Sequence, residues 1–123
     1  MPYTVSGKVY EKESDRPLAG LRIRAFDKDL LFDDVLGSTI TDDKGQFQIE
    51  YREEDFRELF EHKPDIYIAV YSATGRHITN TKKKVRWGAS DNEYFDVAIE
   101  RRSIELLRPE AASENKKKLT DVL

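Results

Sequence analysis

The residues best equipped for chemistry in this chain are carboxylates. Six aspartates stand between positions 27 and 43 (Asp27, Asp29, Asp33, Asp34, Asp42 and Asp43), with Lys28 as the one base among them. Calcium takes six to eight hard oxygens, so Asp27, Asp29, Asp33 and Asp34 are candidate ligands and calcium is the candidate cofactor. Aspartate also populates turns, where it bonds back to the backbone and keeps a loop wet. Leu30, Leu31 and Phe32 sit inside the same acidic loop. Three consecutive apolar residues there either tuck under the loop or wait for a partner. A second cluster is basic: Lys82, Lys83 and Lys84, followed by Arg86 and Trp87. Base beside aromatic suits nucleic acid or anionic lipid, while lysine on an edge strand repels strand addition. Lys84, Arg86 and Trp87 are candidate protein contacts, because Arg and Trp are enriched in interaction hot spots.

Other chemistries lack their residues. With no cysteine there is no thiolate nucleophile, disulfide or Cys-ligated zinc. The two histidines, His62 and His77, belong to no metal or protease motif, and no phosphate-cradling loop or nucleophile elbow occurs. The expectation is a protein that is not an enzyme. The net charge of −3 argues against a general nucleic-acid binder. No apolar run approaches the roughly 18 residues of a membrane span. Residues 1–10 show no basic start followed by an apolar stretch, so the expected location is the cytoplasm, or export without a recognisable N-terminal signal. Charged residues are 37% of the chain and hydrophobic ones 38%, which raises the question of disorder. Six Phe, six Tyr and one Trp answer it, because aromatics bury large areas.

These candidates must be held by strands, since the dominant period is two. Alternation marks Thr4–Tyr10, Leu21–Phe26, Leu36–Thr41 and Gly45–Tyr51. Asp65–Tyr71 is nearly all apolar and reads as a strand covered on both faces. The ordered part of Thr79–Trp87 reads as an edge strand, and Glu93–Ile99 closes the set with Tyr94 or Phe95 inward alongside Val97 and Ile99. Between strands, Asp42-Asp43-Lys44-Gly45 is a tight turn. In 53–62 the period changes: Phe56, Leu59 and Phe60 predict a short helix, stopped by Pro64. No aromatic follows Phe95. Residues 101–123 carry six basic and four acidic groups, a +2 extension on a domain of −5 over residues 1–100. The extension is expected to be flexible or, around 109–119, partly helical, with Leu106 and Leu107 as candidate partner anchors.

The spacing of Gly7-Lys8-Val9, Arg16-Pro17-Leu18-Ala19-Gly20-Leu21, Ile23 and Ala25, then Thr41-Asp42-Asp43-Lys44-Gly45-Gln46-Phe47, resembles prealbumin-like sandwiches. These are the transthyretin-like and carboxypeptidase regulatory-like domains. Phe26-Asp27-Lys28-Asp29 with Asp33-Asp34-Val35-Leu36-Gly37 is similar to nematode transthyretin-like proteins. The resemblance covers about residues 4–100. It implies an all-β, seven- to eight-stranded prealbumin-like Greek-key β-sandwich with one short helix and a C-terminal extension. The superfamily includes 5-hydroxyisourate hydrolase, marked by a C-terminal Tyr-Arg-Gly-Ser signature. This chain ends Thr120-Asp121-Val122-Leu123 and has no histidine in its first strand.

The expected function is therefore a non-enzymatic binding or assembly module. It would contact a protein partner, or a second copy of itself, through loops, edge strand and tail. A calcium-dependent adhesion or carrier module is the first alternative, and a hydroxyisourate-type hydrolase the second.

Overall fold

Alternation shapes the first strand directly. Val5, Gly7, Val9 and Glu11 turn inward, while Thr4, Ser6, Lys8 and Tyr10 face out. A computed structural model of the chain describes residues 3–52 and 63–105. In chain order the strands are β1 (Tyr3–Glu11), β2 (Arg22–Asp27), β3 (Asp34–Ile40), β4 (Gln46–Tyr51), β5 (Ile66–Tyr71), β6 (His77–Asn80) and β7 (Asn92–Ile99). A short helix, α1 (Arg101–Glu105), follows.

One sheet has the order β4-β1-β7 and the other β3-β2-β5-β6. β1 runs parallel to β7, and every other pairing is antiparallel. The inner faces meet through Val5, Val9, Phe47, Ile49, Phe95 and Val97 on one side and Ile23, Ala25, Leu36, Ile66, Ile68 and Val70 on the other. Each fully buried aliphatic side chain of this kind contributes ~1.5–3 kcal/mol. This is the expected all-β sandwich, with seven strands among the described residues. β5 is buried on both faces over Ile66–Val70, as its continuous apolar run predicts. In β7 the inward residue is Phe95, and Tyr94 faces solvent.

Two glycines are dictated by space. A Cβ on Gly7 would lie 2.1 Å from the Phe95 carbonyl oxygen and 2.7 Å from the Phe47 ring. Gly45 has φ of 72° and would meet the Val9 carbonyl oxygen at 2.3 Å. The turn it completes is held by Asp42, whose Oδ1 accepts from the Lys44 and Gln46 amides, both at 2.9 Å.

The basic run departs from expectation. The edge strand ends at Asn80, and Lys82–Lys84 form a single 3₁₀ turn rather than continuing it. Thr81 closes the pairing with β5: its amide donates to the Ile68 carbonyl at 2.9 Å, and its Oγ1 accepts from the Ile68 amide at 2.9 Å. A strand would direct every second side chain toward the core. The turn leaves all three lysines exposed and delivers Val85 to the interior.

At the opposite end of the sandwich, α1 stays attached. The Arg101 amide donates to the Glu13 carboxylate at 2.9 and 3.1 Å, its guanidinium reaches Glu11 Oε1 at 2.9 Å, and Ile104 packs on the core. The helix expected over 53–62, Leu106 and Leu107, and the helix expected around 109–119 all lie outside the described residues. No helix among the described residues is long and apolar enough to cross a membrane.

Candidate interaction surface

The ends of β2, β3 and β5 and residues 81–92 gather at one tip of the sandwich. Backbone hydrogen bonds stitch them together. The Lys28 amide donates to the Asp65 carbonyl at 2.8 Å, and the Asp65 amide to Asp27 Oδ1 at 2.9 Å. Asp65 Oδ1 accepts from Gly88 at 2.8 Å, and Arg86 exchanges backbone bonds with Ile66. The tip's frame is thus fixed, while its loop stands out into solvent.

That loop carries Leu30, Leu31 and Phe32 at 99%, 86% and 82% exposure. Trp87, at the same tip, is 67% exposed. The apolar triplet therefore does not tuck under its loop. Its carboxylates serve the loop instead: Asp29 Oδ1 accepts from the Leu30 amide at 2.7 Å, and Asp33 Oδ1 from the Asp29 amide at 3.0 Å. The Tyr67 hydroxyl donates to Asp33 Oδ2, and Lys82 Nζ lies 5.3 Å from the Tyr67 ring centroid. Burial opposes ionisation of Asp33. The Tyr67 hydroxyl, the Asp29 amide and the charges of Lys28 and Lys82 outweigh it and hold the carboxyl below its ordinary value. Burial, and then Asp33 itself, pushes the Tyr67 phenol up.

The four expected calcium ligands do reach one end of the molecule, but with different tasks. Asp27 is buried against Asp65, Asp29 and Asp33 bond within the loop, and Asp34 opens β3 opposite Asp27. Among the described residues no three His, Cys, Asp or Glu converge as a metal-holding group. Of the basic candidates, Lys84 is exposed, whereas Arg86 is engaged internally. Arg86 pairs with Glu93 at 3.0 Å, donates to the Tyr94 carbonyl at 3.1 Å and lies 4.4 Å from the Phe95 ring centroid. Burial opposes the charge on Glu93, but Ser90 and Arg86 more than offset it and hold its pKa low.

Sequence reasoning did not find a second surface, the outer face of the β3-β2-β5-β6 sheet. Residues paired across strands share a face. The register therefore lines up Val35, Phe26 and Tyr67 in one row, and Ser38, Arg24, Ala69 and Asn80 in the next. The third row is Ile40, Arg22, Tyr71 and His77. Phe26 stacks on Tyr67 at 5.0 Å, Arg24 lies 5.6 Å from the Tyr71 ring centroid, and His77 meets Tyr71 edge-on. The other sheet's outer face carries Ser6, Lys8, Gln46, Gln48, Glu50 and Asp96, with Tyr10, Tyr94 and Ala98 among them. The alternating arginines of β2 are visible in sequence, but only the register shows what stands beside them.

Two sheets with a parallel pairing of the first and last strands, and loops exposed at the tip, define a transthyretin-like β-sandwich. The chain belongs to the transthyretin-like family, whose profile matches residues 14–88. No curated protein sequence matches it. Among solved structures it is similar to part of a 9R-lipoxygenase from Cyanothece, with 20% identity and a TM-score of 0.58. That match covers 78% of this chain and 16% of the lipoxygenase, and it bears on fold alone. An alternative pilotin from the type II secretion system of Vibrio cholerae aligns at 13% identity and a TM-score of 0.49, covering 81% of this chain and 96% of the pilotin.

Proposed function

We propose that the chain is a non-enzymatic binding module that contacts a protein partner through the Leu30–Phe32 tip and Trp87 at the same end. The observation that carries this reading is the exposure of four large apolar side chains on a hydrogen-bonded frame. Apolar residues so exposed contribute nothing to the sandwich core, and they gain free energy only when a partner covers them. The lysines beside them keep the tip soluble when unoccupied.

The test is capture by the immobilised full chain, compared with the variant Leu30→Ser/Leu31→Ser/Phe32→Ser, alongside sedimentation with vesicles of anionic and neutral lipid. Saturable retention of a protein that the variant loses by about tenfold or more supports the reading. Equal retention by both proteins overturns the tip assignment. Sedimentation with anionic vesicles that the variant loses overturns the choice of a protein partner. Turnover of 5-hydroxyisourate by the purified chain overturns the non-enzymatic assignment.

A further inference from the structure

Two arginines of β2 stand beside one tyrosine on the outer face of the β3-β2-β5-β6 sheet. Arg22 is directly opposite Tyr71 in the register, and Arg24 is the next same-face residue along β2. Arg24 leans back toward Tyr71, its guanidinium carbon 5.6 Å from the ring centroid. From the other side β6 brings His77, whose ring meets Tyr71 edge-on with centroids 5.6 Å apart. Three nitrogen-bearing side chains, from two strands, thus adjoin one ring.

Their surroundings leave the charge uncompensated. The three cross-strand rows of this face hold no Asp or Glu, and neither arginine has a carboxylate partner among the described residues. Of the acids that flank β3, Asp33 is bonded to the Tyr67 hydroxyl and Asp42 to the amides of its own turn. Contact with the Tyr71 ring positions the Arg24 guanidinium without taking its N–H groups into a hydrogen bond. Asn80 Nδ2 can only donate, so His77 Nε2 accepts from it at 3.1 Å, and the neutral ring carries its proton on Nδ1 as a further donor. Arg22 and His77 are exposed, and Arg24 and Tyr71 half-buried, so these donors are reachable from solvent.

We propose that Arg22, Arg24 and His77 around Tyr71 bind a phosphomonoester carried on a segment of a protein partner. Two guanidiniums offer two positive charges and two planar forks of donors. A phosphomonoester brings about −1.5 to −2 charge and three acceptor oxygens, whereas a carboxylate brings a single charge. The cluster lies on an open sheet face, which suits a group presented on a peptide better than a small molecule that needs enclosure. Paired arginines are a general means of reading phosphorylated segments. The net-acidic remainder of the domain disfavours the same group elsewhere. This goes beyond the tip reading: it names a different surface and a ligand chemistry, and it stands whether or not Leu30–Phe32 bind anything.

The experiment titrates the full chain, followed by NMR, with a short synthetic peptide of Gly and Ala carrying one phosphoserine, and with the same peptide carrying Ser or Glu in its place. The phosphopeptide binds saturably, more weakly as salt rises, and shifts the His77 ring and Tyr71 amide resonances. The Glu and Ser forms bind about tenfold more weakly or not at all. Arg22→Gln/Arg24→Gln weakens phosphopeptide binding by about tenfold or more. Arg24→Lys also weakens it, because an ammonium lacks the planar fork, while Lys8→Gln on the other sheet leaves it unchanged. Unaltered amide resonances in β1 and β7 show that the variants are folded. Absence of phosphopeptide binding, equal binding of the Glu form, undiminished affinity in the double variant, or shifts confined to another surface overturns the proposal. Inorganic phosphate binding as tightly as the phosphopeptide, or sedimentation with phosphatidic acid vesicles that the double variant loses, overturns the choice of a protein-borne group. Failure of the Leu30–Phe32 variant to capture a partner has no bearing on these outcomes.

Discussion

A single hydroxyl, that of Tyr67, ties the exposed loop to the sheet through Asp33. Tyr67→Phe keeps the stacking on Phe26 and removes only this bond, so the expected loss of stability is about 1 kcal/mol. The Asp33 carboxyl then titrates closer to its ordinary value, which carbon-detected NMR resolves. The sign of the pH dependence follows from the depressed folded pKa. Asp33 contributes stability above the unfolded carboxylate value of about 3.9, and that contribution fades as pH falls through the lower folded value. Tyr67→Phe therefore flattens the acid limb of the stability profile, and an unchanged limb would show that the bond does not form. The sequence contains all the parties to this contact. Nothing in the spacing of Asp33 and Tyr67, 34 residues apart, pairs them before the strand register is known.

Among the elements, legibility follows the strength of the period. β4 and β7 alternate without interruption and are read directly, as is β5 from its apolar run. The lysine run is misread because polar residues at 79–87 fit an edge strand as well as a turn. The deciding bonds, between Thr81 and Ile68, are long-range. The end of β7 raises a similar question, since only the charge balance and the lack of aromatics separate the residues from 101 onward. In the fold, α1 is held by Arg101 to Glu11 and Glu13. The Ser14 hydroxyl and then Arg101 lower the Glu11 pKa, and Glu11 in turn raises that of Arg101. Arg101→Ala is expected to release α1: exchange at the Ser103 and Ile104 amides rises toward that of a free peptide, while amides in β1 and β7 keep their protection. Loss of protection throughout β1 instead would mean that this contact supports the whole sheet.

Taken as a whole, the molecule keeps its charge out of the core and sets its spare apolar residues among charged neighbours. Among the described residues the charged side chains fall mainly on alternate strand positions and in turns, so a chain poor in hydrophobic residues still fills one core between two sheets. Leu30, Leu31 and Phe32 are left over from that core in one exposed loop, and Trp87 is exposed at the same end of the sandwich. The central claim is that the loop triplet serves contact and not folding. Thermal unfolding of Leu30→Ser/Leu31→Ser/Phe32→Ser beside the wild type tests it most directly. Residues exposed to this degree change stability by no more than about 0.5 kcal/mol each, so the account predicts a melting temperature equal to or slightly above that of the wild type. A fall of more than about 12 °C, equivalent to losing more than about 2 kcal/mol in a domain of this size, would place these side chains in the fold and contradict the account.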